Sequence, residues 1–337
     1  MTDLHEVADN IFLVRQKAGM GGIKPPMNIY VLAGHNGLIF DAGYGTRHDI
    51  QHARKSVEAI QQRFEEQGKV CRIGRILPSH THPDHFSGLK GMRKELGLSV
   101  LLTKKMAERI TSAAIYRQSY AEPQYEQGVF SHRQSGFQKF MHQQLSRLYY
   151  NKIFGVTFLP NPDELIEEES KIDINGETWD ILSGHGHCDD HVMLYRQETG
   201  ILLAGDNVLR SITTWLGPPR SNLADYINTL ERIKKLPGIT RILSAHGSPV
   251  ENPVERVEEI IQYRHSRTEE IMNIVRAAGQ KGISFHRLLE TVYPGEGSMR
   301  RALVEGWVIV TIQHLEEKGR IRREDGGKTV RFVSDDG

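Results

Sequence analysis

A chain of 337 residues has room for one large domain and a small one. Its 43 Lys and Arg against 42 Asp and Glu leave a net charge of +1, which excludes a global pull toward nucleic acid or anionic membrane. Two cysteines, Cys71 and Cys188, exclude a disulfide scaffold; with no signal-like pattern over 1–26 and no run of ~18 apolar residues, a cytoplasmic protein with no membrane partner is expected.

In chain order, the pattern predicts strands over 11–15 and 28–32, a Gly-His-Asn-Gly turn at 34–37 and a return strand over 38–41. Between the first two strands, three glycines and two prolines make 17–26 a loop whose tip carries Met20 and Ile23. An amphipathic helix follows over 49–66, then a short buried strand over 73–77, a helix over 86–96 and a strand over 99–103. Alternating β and α is the pattern of a layered α/β fold. Residues 104–152 break that rhythm, being helical in character and rich in Gln, Arg and aromatics. Further strands are expected over 155–159, 171–174, 178–182, 200–204 and 239–244, with Asn175-Gly176 as a hairpin turn and a helix over 222–236.

The chemistry concentrates after the strand over 73–77. Ser79-His80-Thr81-His82-Pro83-Asp84-His85 holds three imidazoles and a carboxylate within six positions. A lone histidine is usually a surface or core residue, but burying three with an aspartate and no cation leaves costly unpaired polar groups. Residues two apart in an extended loop point the same way. His80 and His82 are therefore expected to share one metal, and Asp84 with His85, displaced along the loop, to reach a second. Three later strand ends carry a histidine or an aspartate: His187 in Gly186-His187-Cys188-Asp189-Asp190-His191, Asp206 in Gly205-Asp206-Asn207, and His246 in Ala245-His246-Gly247.

The HxHxDH pattern, with Asp41, His187, Asp206 and His246 in that order, resembles the metallo-β-lactamase superfamily of dinuclear metallohydrolases over roughly residues 8–250. The resemblance implies an αββα sandwich, with a catalytic domain over 1–252 and a helical insertion at about 104–152. It implies that His80, His82 and His187 hold a first metal, that Asp84, His85 and His246 hold a second, and that Asp206 bridges them. His191 and Asp41 would support these ligands from behind. Two divalent ions are implied, zinc first, with manganese or iron also accepted by a set that lacks thiolate. Asp84 is expected to handle the proton of a metal-bridging hydroxide. Cys188 reads as a small buried residue with no chemical part.

The tail, 253–337, reads as a linker helix over 253–278, a short helix over 285–293 capped by Ser284, a third over 298–318 and a hairpin. Val304, Val308, Ile312 and Leu315 share one face of the third helix. This order is similar to a winged helix, and the whole chain resembles superfamily hydrolases carrying one, glyoxalase II-like in chemistry. The expected reaction is hydrolysis of an activated acyl bond in a small molecule: a thioester, a lactone or a related ester. The alternative is phosphodiester cleavage of RNA or DNA, with the winged helix binding nucleic acid. Against it, 281–336 holds ten Lys or Arg and nine Asp or Glu, so the tail lacks a basic footprint. Met20 and Ile23 on the overhanging loop, and Arg117 and Arg133 in the insertion, are the candidates for touching substrate. The insertion reads as a substrate cap or as a packing and dimer element, and the winged helix as the latter, so a homodimer is one expected assembly.

Overall fold

The computed structural model describes residues 4–19, 24–121, 149–295, 298–325 and 329–335. Strands β1 (His5–Ala8), β2 (Ile11–Gln16), β3 (Met27–Leu32) and β4 (Gly37–Phe40) each pair antiparallel with the next. Parallel strands β5 (Ile73–Leu77), β6 (Ser99–Thr103) and β7 (Glu164–Ile166) complete a seven-stranded sheet in sequence order. Helix α1 (Arg47–Glu66) starts where the Thr46 side chain accepts from the Asp49 N–H, and buries Ile50, Ala53, Val57, Ile60 and Phe64 against the sheet.

The helix expected over 86–96 is two pieces, α2 (Pro83–Phe86) and α3 (Leu89–Leu96). The break falls at Gly88, which abuts the chain leaving β4: a Cβ there would lie 2.1 Å from the Ala42 carbonyl oxygen. Of the expected insertion, α4 (Lys104–Arg109), α5 (Ala113–Gln118) and a π-helical turn at Tyr149–Phe154 are described; 122–148 lies outside the described residues. Residues 155–159 form no strand. Their polar groups bond loops and helix ends instead, Thr157 Oγ1 to the Ser87 carbonyl and the Leu159 N–H to the Ile110 carbonyl.

The second sheet contains β8 (Ser170–Ile174), β9 (Glu177–Ser183), β10 (Val192–Arg196), β11 (Ile201–Gly205) and β12 (Arg241–Ser244), ordered β12-β11-β10-β9-β8. Only the β11–β12 pair is parallel. Asn175 and Gly176, both at positive φ (60° and 80°), join β8 to β9. Side chains alternate across this sheet with period two. Ile181, Val192, Leu194, Leu203 and Leu243 join the core shared with the first sheet. Leu182, Met193, Tyr195, Leu202 and Ile242 face the other way, against α6 (Leu223–Lys234) and α7 (Pro253–Ala277). The layers are therefore helix, sheet, sheet, helix.

Helix α7 enters two cores. Val257, Ile260 and Ile261 pack over the second sheet, while Ile271, Met272 and Val275 join α8 (Phe285–Val292), α9 (Ser298–Glu317) and a third sheet. That sheet is β13 (Ile283–Ser284), β15 (Val330–Ser334) and β14 (Ile321–Asp325), in that order. Ser284 caps α8, accepting from the Arg287 N–H, and Val304, Val308, Ile312 and Leu315 of α9 all pack into the third core. Among the described residues no helix is long and apolar enough to cross a membrane.

Candidate metal centre

The site lies where β5, β9, β11 and β12 end. Just past β4, Asp41 takes a left-handed conformation (φ 69°) and accepts from Ser79 N–H (2.7 Å) and Ser79 Oγ (2.8 Å), which fixes the turn out of β5. Pro83 then starts α2, as proline favours the first helical position. Asp84 and His85 thus sit on a helical turn, not further along the extended loop that the alternation argument assumed. His85 stays close to His80, with ring centroids 3.9 Å apart, yet it groups with Asp84 and His246, so the same division into two groups results.

His82 Nδ1 lies 2.9 Å from both His80 Nε2 and His187 Nε2, and His187 Nε2 lies 3.3 Å from His80 Nε2. With Asp206 they offer four ligand atoms within 4.8 Å of one another; Asp84, His85 and His246 form an adjacent group of three. Asp206 stands between the groups. Its Oδ2 is 3.6 Å from His187 Nε2 and 3.5 Å from His85 Nε2, and its Oδ1 is 3.4 Å from His246 Nε2. Asp84 Oδ2 is likewise 3.4 Å from His246 Nε2.

The outer ring nitrogens are held. His187 Nδ1 bonds the Trp215 carbonyl and His246 Nδ1 the Pro26 carbonyl, each at 2.7 Å. A carbonyl only accepts, so in both rings Nδ1 carries the proton and a neutral ring presents the Nε2 lone pair to the cluster. His85 Nδ1 lies 3.1 Å from Asp41 Oδ1 and His80 Nδ1 3.0 Å from Ser79 Oγ. The loop carrying His246 is pinned to β3, because Asn28 Nδ2 and Tyr30 OH both donate to the Ser244 carbonyl (2.9 and 2.7 Å).

Burial, and then the neighbouring imidazoles, push His80 and His82 well below the usual histidine range; burial also lowers His187. These are neutral donors. In the second group burial also acts to lower His85 and His246, but the carboxylates outweigh it: His85 is raised by Asp41, Asp206 and Asp84, and His246 is raised to about 9 by Asp206 and Asp84. Asp84 falls to about 2 against its own burial, through His85 and His246. His85 Nε2 and Asp206 Oδ1 are buried with no hydrogen-bond partner. Orphaned donors facing one another, all imidazole or carboxylate, fit divalent cations.

His191 does not join either group. Its Nε2 accepts from the Asp206 N–H (3.1 Å), Asn207 Nδ2 lies 3.1 Å from its Nδ1, and its ring stacks on His80 at 4.8 Å. Arg117 is exposed on α5. Met20, Ile23 and Arg133 lie outside the described residues.

Sequence reasoning missed the arginine cage behind the cluster. Asp190 is fully buried and accepts from Thr81 Oγ1, Arg109 Nη1 (2.6 Å) and Arg220 Nη2, while Arg109 and Arg220 also reach Asp189 (2.9 and 3.1 Å). Arg220 further donates to Tyr120 OH at 2.8 Å. The cage ties the loop of His80 and His82 to the loop of His187. Burial opposes ionisation of Asp190, but Arg220 and Arg109 hold its carboxyl far below the usual range. Cys188 donates to Asp190 at 3.1 Å, and its thiol is pushed well up by burial. The signal in the sequence was the Asp189-Asp190 pair inside the His187 motif; its partners Arg109 and Arg220 are 81 and 30 positions from Asp190.

The family model of the metallo-beta-lactamase superfamily matches residues 25–246. The beta-lactamase-like protein 2 homolog of Caenorhabditis elegans is 32% identical over 111 residues, 33% of this chain and 36% of that protein. The atrochrysone carboxyl ACP thioesterase of Aspergillus fumigatus is 26% identical over 114 residues, 34% of this chain and 35% of that protein. This chain thus spans about a third of the length of each. A crystal structure of a beta-lactamase domain protein from Burkholderia ambifaria superposes with a TM-score of 0.76 at 20% identity, covering 98% of this chain and 94% of that one.

Proposed function

The chain belongs to the metallo-beta-lactamase superfamily, and on that premise we propose that it hydrolyses an activated acyl bond, a thioester, lactone or related ester, using two divalent ions, zinc first. The observation that carries this reading is the meeting of His80, His82, His187 and Asp206 beside Asp84, His85 and His246. When bound there, divalent ions supply Lewis acidity and acidify water toward neutral pH. The protein's part is to present the donors and move the proton. His80, His82 and His187 would hold one ion, Asp84, His85 and His246 the other, with Asp206 shared. Asp84, partly exposed and ion-paired to His246, is the carboxylate placed to take a proton from the attacking water and return it to the leaving group. The Trp215 and Pro26 carbonyls and Asp41 keep His187, His246 and His85 in the donating orientation.

Two observations support an acyl substrate. A relative is named as a thioesterase, and the C-terminal segment is nearly neutral where a nucleic-acid-binding face would be basic. We read helices α7, α8 and α9 with the β13-β15-β14 sheet as a winged helix, and place the protein in the cytoplasm, where Cys71 and Cys188 stay free thiols. The test is a panel of acyl-thioesters, lactones and single-stranded RNA, assayed on metal-loaded protein and its Asp84→Asn variant. Thioester or lactone turnover, reduced roughly 10²-fold or more in the variant, is expected. RNA cleavage lost in the variant, with no acyl turnover, would overturn the reading.

A further inference from the structure

A cavity of ≈ 750 Å³ opens on Asp206 and His246, and its far wall is the C-terminal unit. The loop running from β11 to α6 forms one side, with Leu209, Ile212 and Trp215; α7 contributes Tyr263 and Arg264, and α9 contributes Trp307. The two sides are locked together. Arg256 of α7 donates to the Leu209 and Ile212 carbonyls (2.8 and 2.9 Å), and Arg264 to the Thr214 carbonyl. Thr214 Oγ1 in turn donates to the Asp206 carbonyl. At Gly306 of α9 a Cβ would stand 2.9 Å from the Leu216 carbonyl oxygen, so a larger residue there would push the helix off the loop.

Arg264 is the unusual group in this cavity. It is 5% exposed, its Nε is buried with no hydrogen-bond partner, and among the described residues no carboxylate lies within ion-pair distance of it. Its charged or polar surroundings are the Thr214 carbonyl, the rings of Tyr226 and Tyr263 at 5.7 and 5.9 Å, the phenol of Tyr293, and Arg267 on the same helix. None of these is an anion. The comparably buried Arg220, 6% exposed, has Asp189 and Asp190. A guanidinium keeps its charge when buried, and an uncompensated one is costly unless an anion reaches it.

We propose that this cavity is the substrate pocket, that Arg264 holds a carboxylate or phosphate group of a small amphipathic substrate, and that the substrate's apolar body lies between Trp215 and Trp307. The proposal rests on the hydrolase reading above and names the substrate class for it. The volume falls within the ~300–1,000 Å³ of small-molecule sites. A nucleic-acid strand requires a basic groove along its backbone, whereas the cations lining this cavity are Arg210 and Arg264 alone among the described residues, the imidazole of His246 aside.

The test is a fluorescence titration of the full chain, with and without zinc, using 4-phenylbutyrate, phenyl phosphate and the neutral 4-phenylbutyramide. Of the three tryptophans, Trp179 is buried in the core between the sheets, so quenching reports on Trp215 and Trp307. Metal-free protein should bind an anion at least tenfold more tightly than the amide, and the tighter of the two anions identifies the group. Arg264→Gln should abolish the preference and Arg264→Lys should restore part of it. Val304→Tyr, which fills the cavity from α9 and leaves the guanidinium in place, should weaken all three ligands at least tenfold, and it decides the matter if Arg264→Gln does not fold. Equal affinity for anion and amide, a preference that survives Arg264→Gln or vanishes without zinc, or tighter binding of an oligoribonucleotide than of all three would overturn the proposal. Because binding is read without turnover, an anion preference with no hydrolysis sinks only the hydrolase reading, and hydrolysis with no anion preference sinks only the pocket.

Discussion

Two arginines equally hidden from water flank the metal centre and differ in what neutralises them. Arg220, behind the His187 loop, sits in a cage with Asp189, Asp190 and Arg109. Arg264, on the far side of Asp206, has a backbone carbonyl and two aromatic faces. A charge paired within the chain holds two loops in register; a charge left unpaired at a cavity wall is available to a ligand. An exposed pair, Arg232 with Glu169, gives the third case, in which water does most of the solvation (39% and 48% exposed).

The comparison can be broken by removing one member at a time. Asp190→Ala leaves Arg220 and Arg109 buried with only the partly exposed Asp189, and should cost about 3–5 kcal/mol in urea unfolding. A loss below 1 kcal/mol would mean that the cage does not hold the loops. Arg264→Met, a substitution of the same depth, removes a charge that has no counterion. Losing its hydrogen bond to the buried Thr214 carbonyl should cost no more than about 1–2 kcal/mol, less than Asp190→Ala, while weakening anion binding. A loss as large as that of Asp190→Ala would make Arg264 a structural clamp alone. The exposed pair should matter least, at about 0.2–1 kcal/mol. Its sign with pH follows from Glu169, whose carboxyl is held down at about 2, first by the hydrogen bond from Arg232. A carboxyl lowered on folding contributes stability above its unfolded value, near 4.3, and loses it as pH falls toward 2. Wild type and Glu169→Gln should therefore differ in urea midpoint at pH 6 and converge near pH 2.

The meeting of these seven side chains was legible because four are sequence-local and the other three follow apolar strands. His80, His82, Asp84 and His85 come from one loop and turn, and His187, Asp206 and His246 each follow a strand of the second sheet. The layering was legible from alternation for the same reason. What was hidden depends on distant pairing or close approach. The expected helix over 86–96 breaks because Gly88 packs on the Ala42 carbonyl, a contact with a residue more than forty positions earlier. Strands β1, β7 and β10 are three to five residues long and carry too little pattern to announce themselves. Arg109, Arg220 and Arg264 carry no local motif at all; their partners are set by the packing of loops on helices. The winged-helix reading treated the tail as a packing or dimer element, and nothing in its sequence indicated that Tyr263, Tyr293 and Trp307 would face Asp206 across a cavity.

Two groups of side chains that share Asp206 are proposed to hold two divalent ions. Zinc titrated calorimetrically into chelator-treated protein, with His187→Ala and His246→Ala in parallel, tests this most directly. Two ions per chain in the wild type, and one high-affinity ion lost in each variant, is the predicted result; a wild type that takes up neither zinc, manganese nor iron would contradict it.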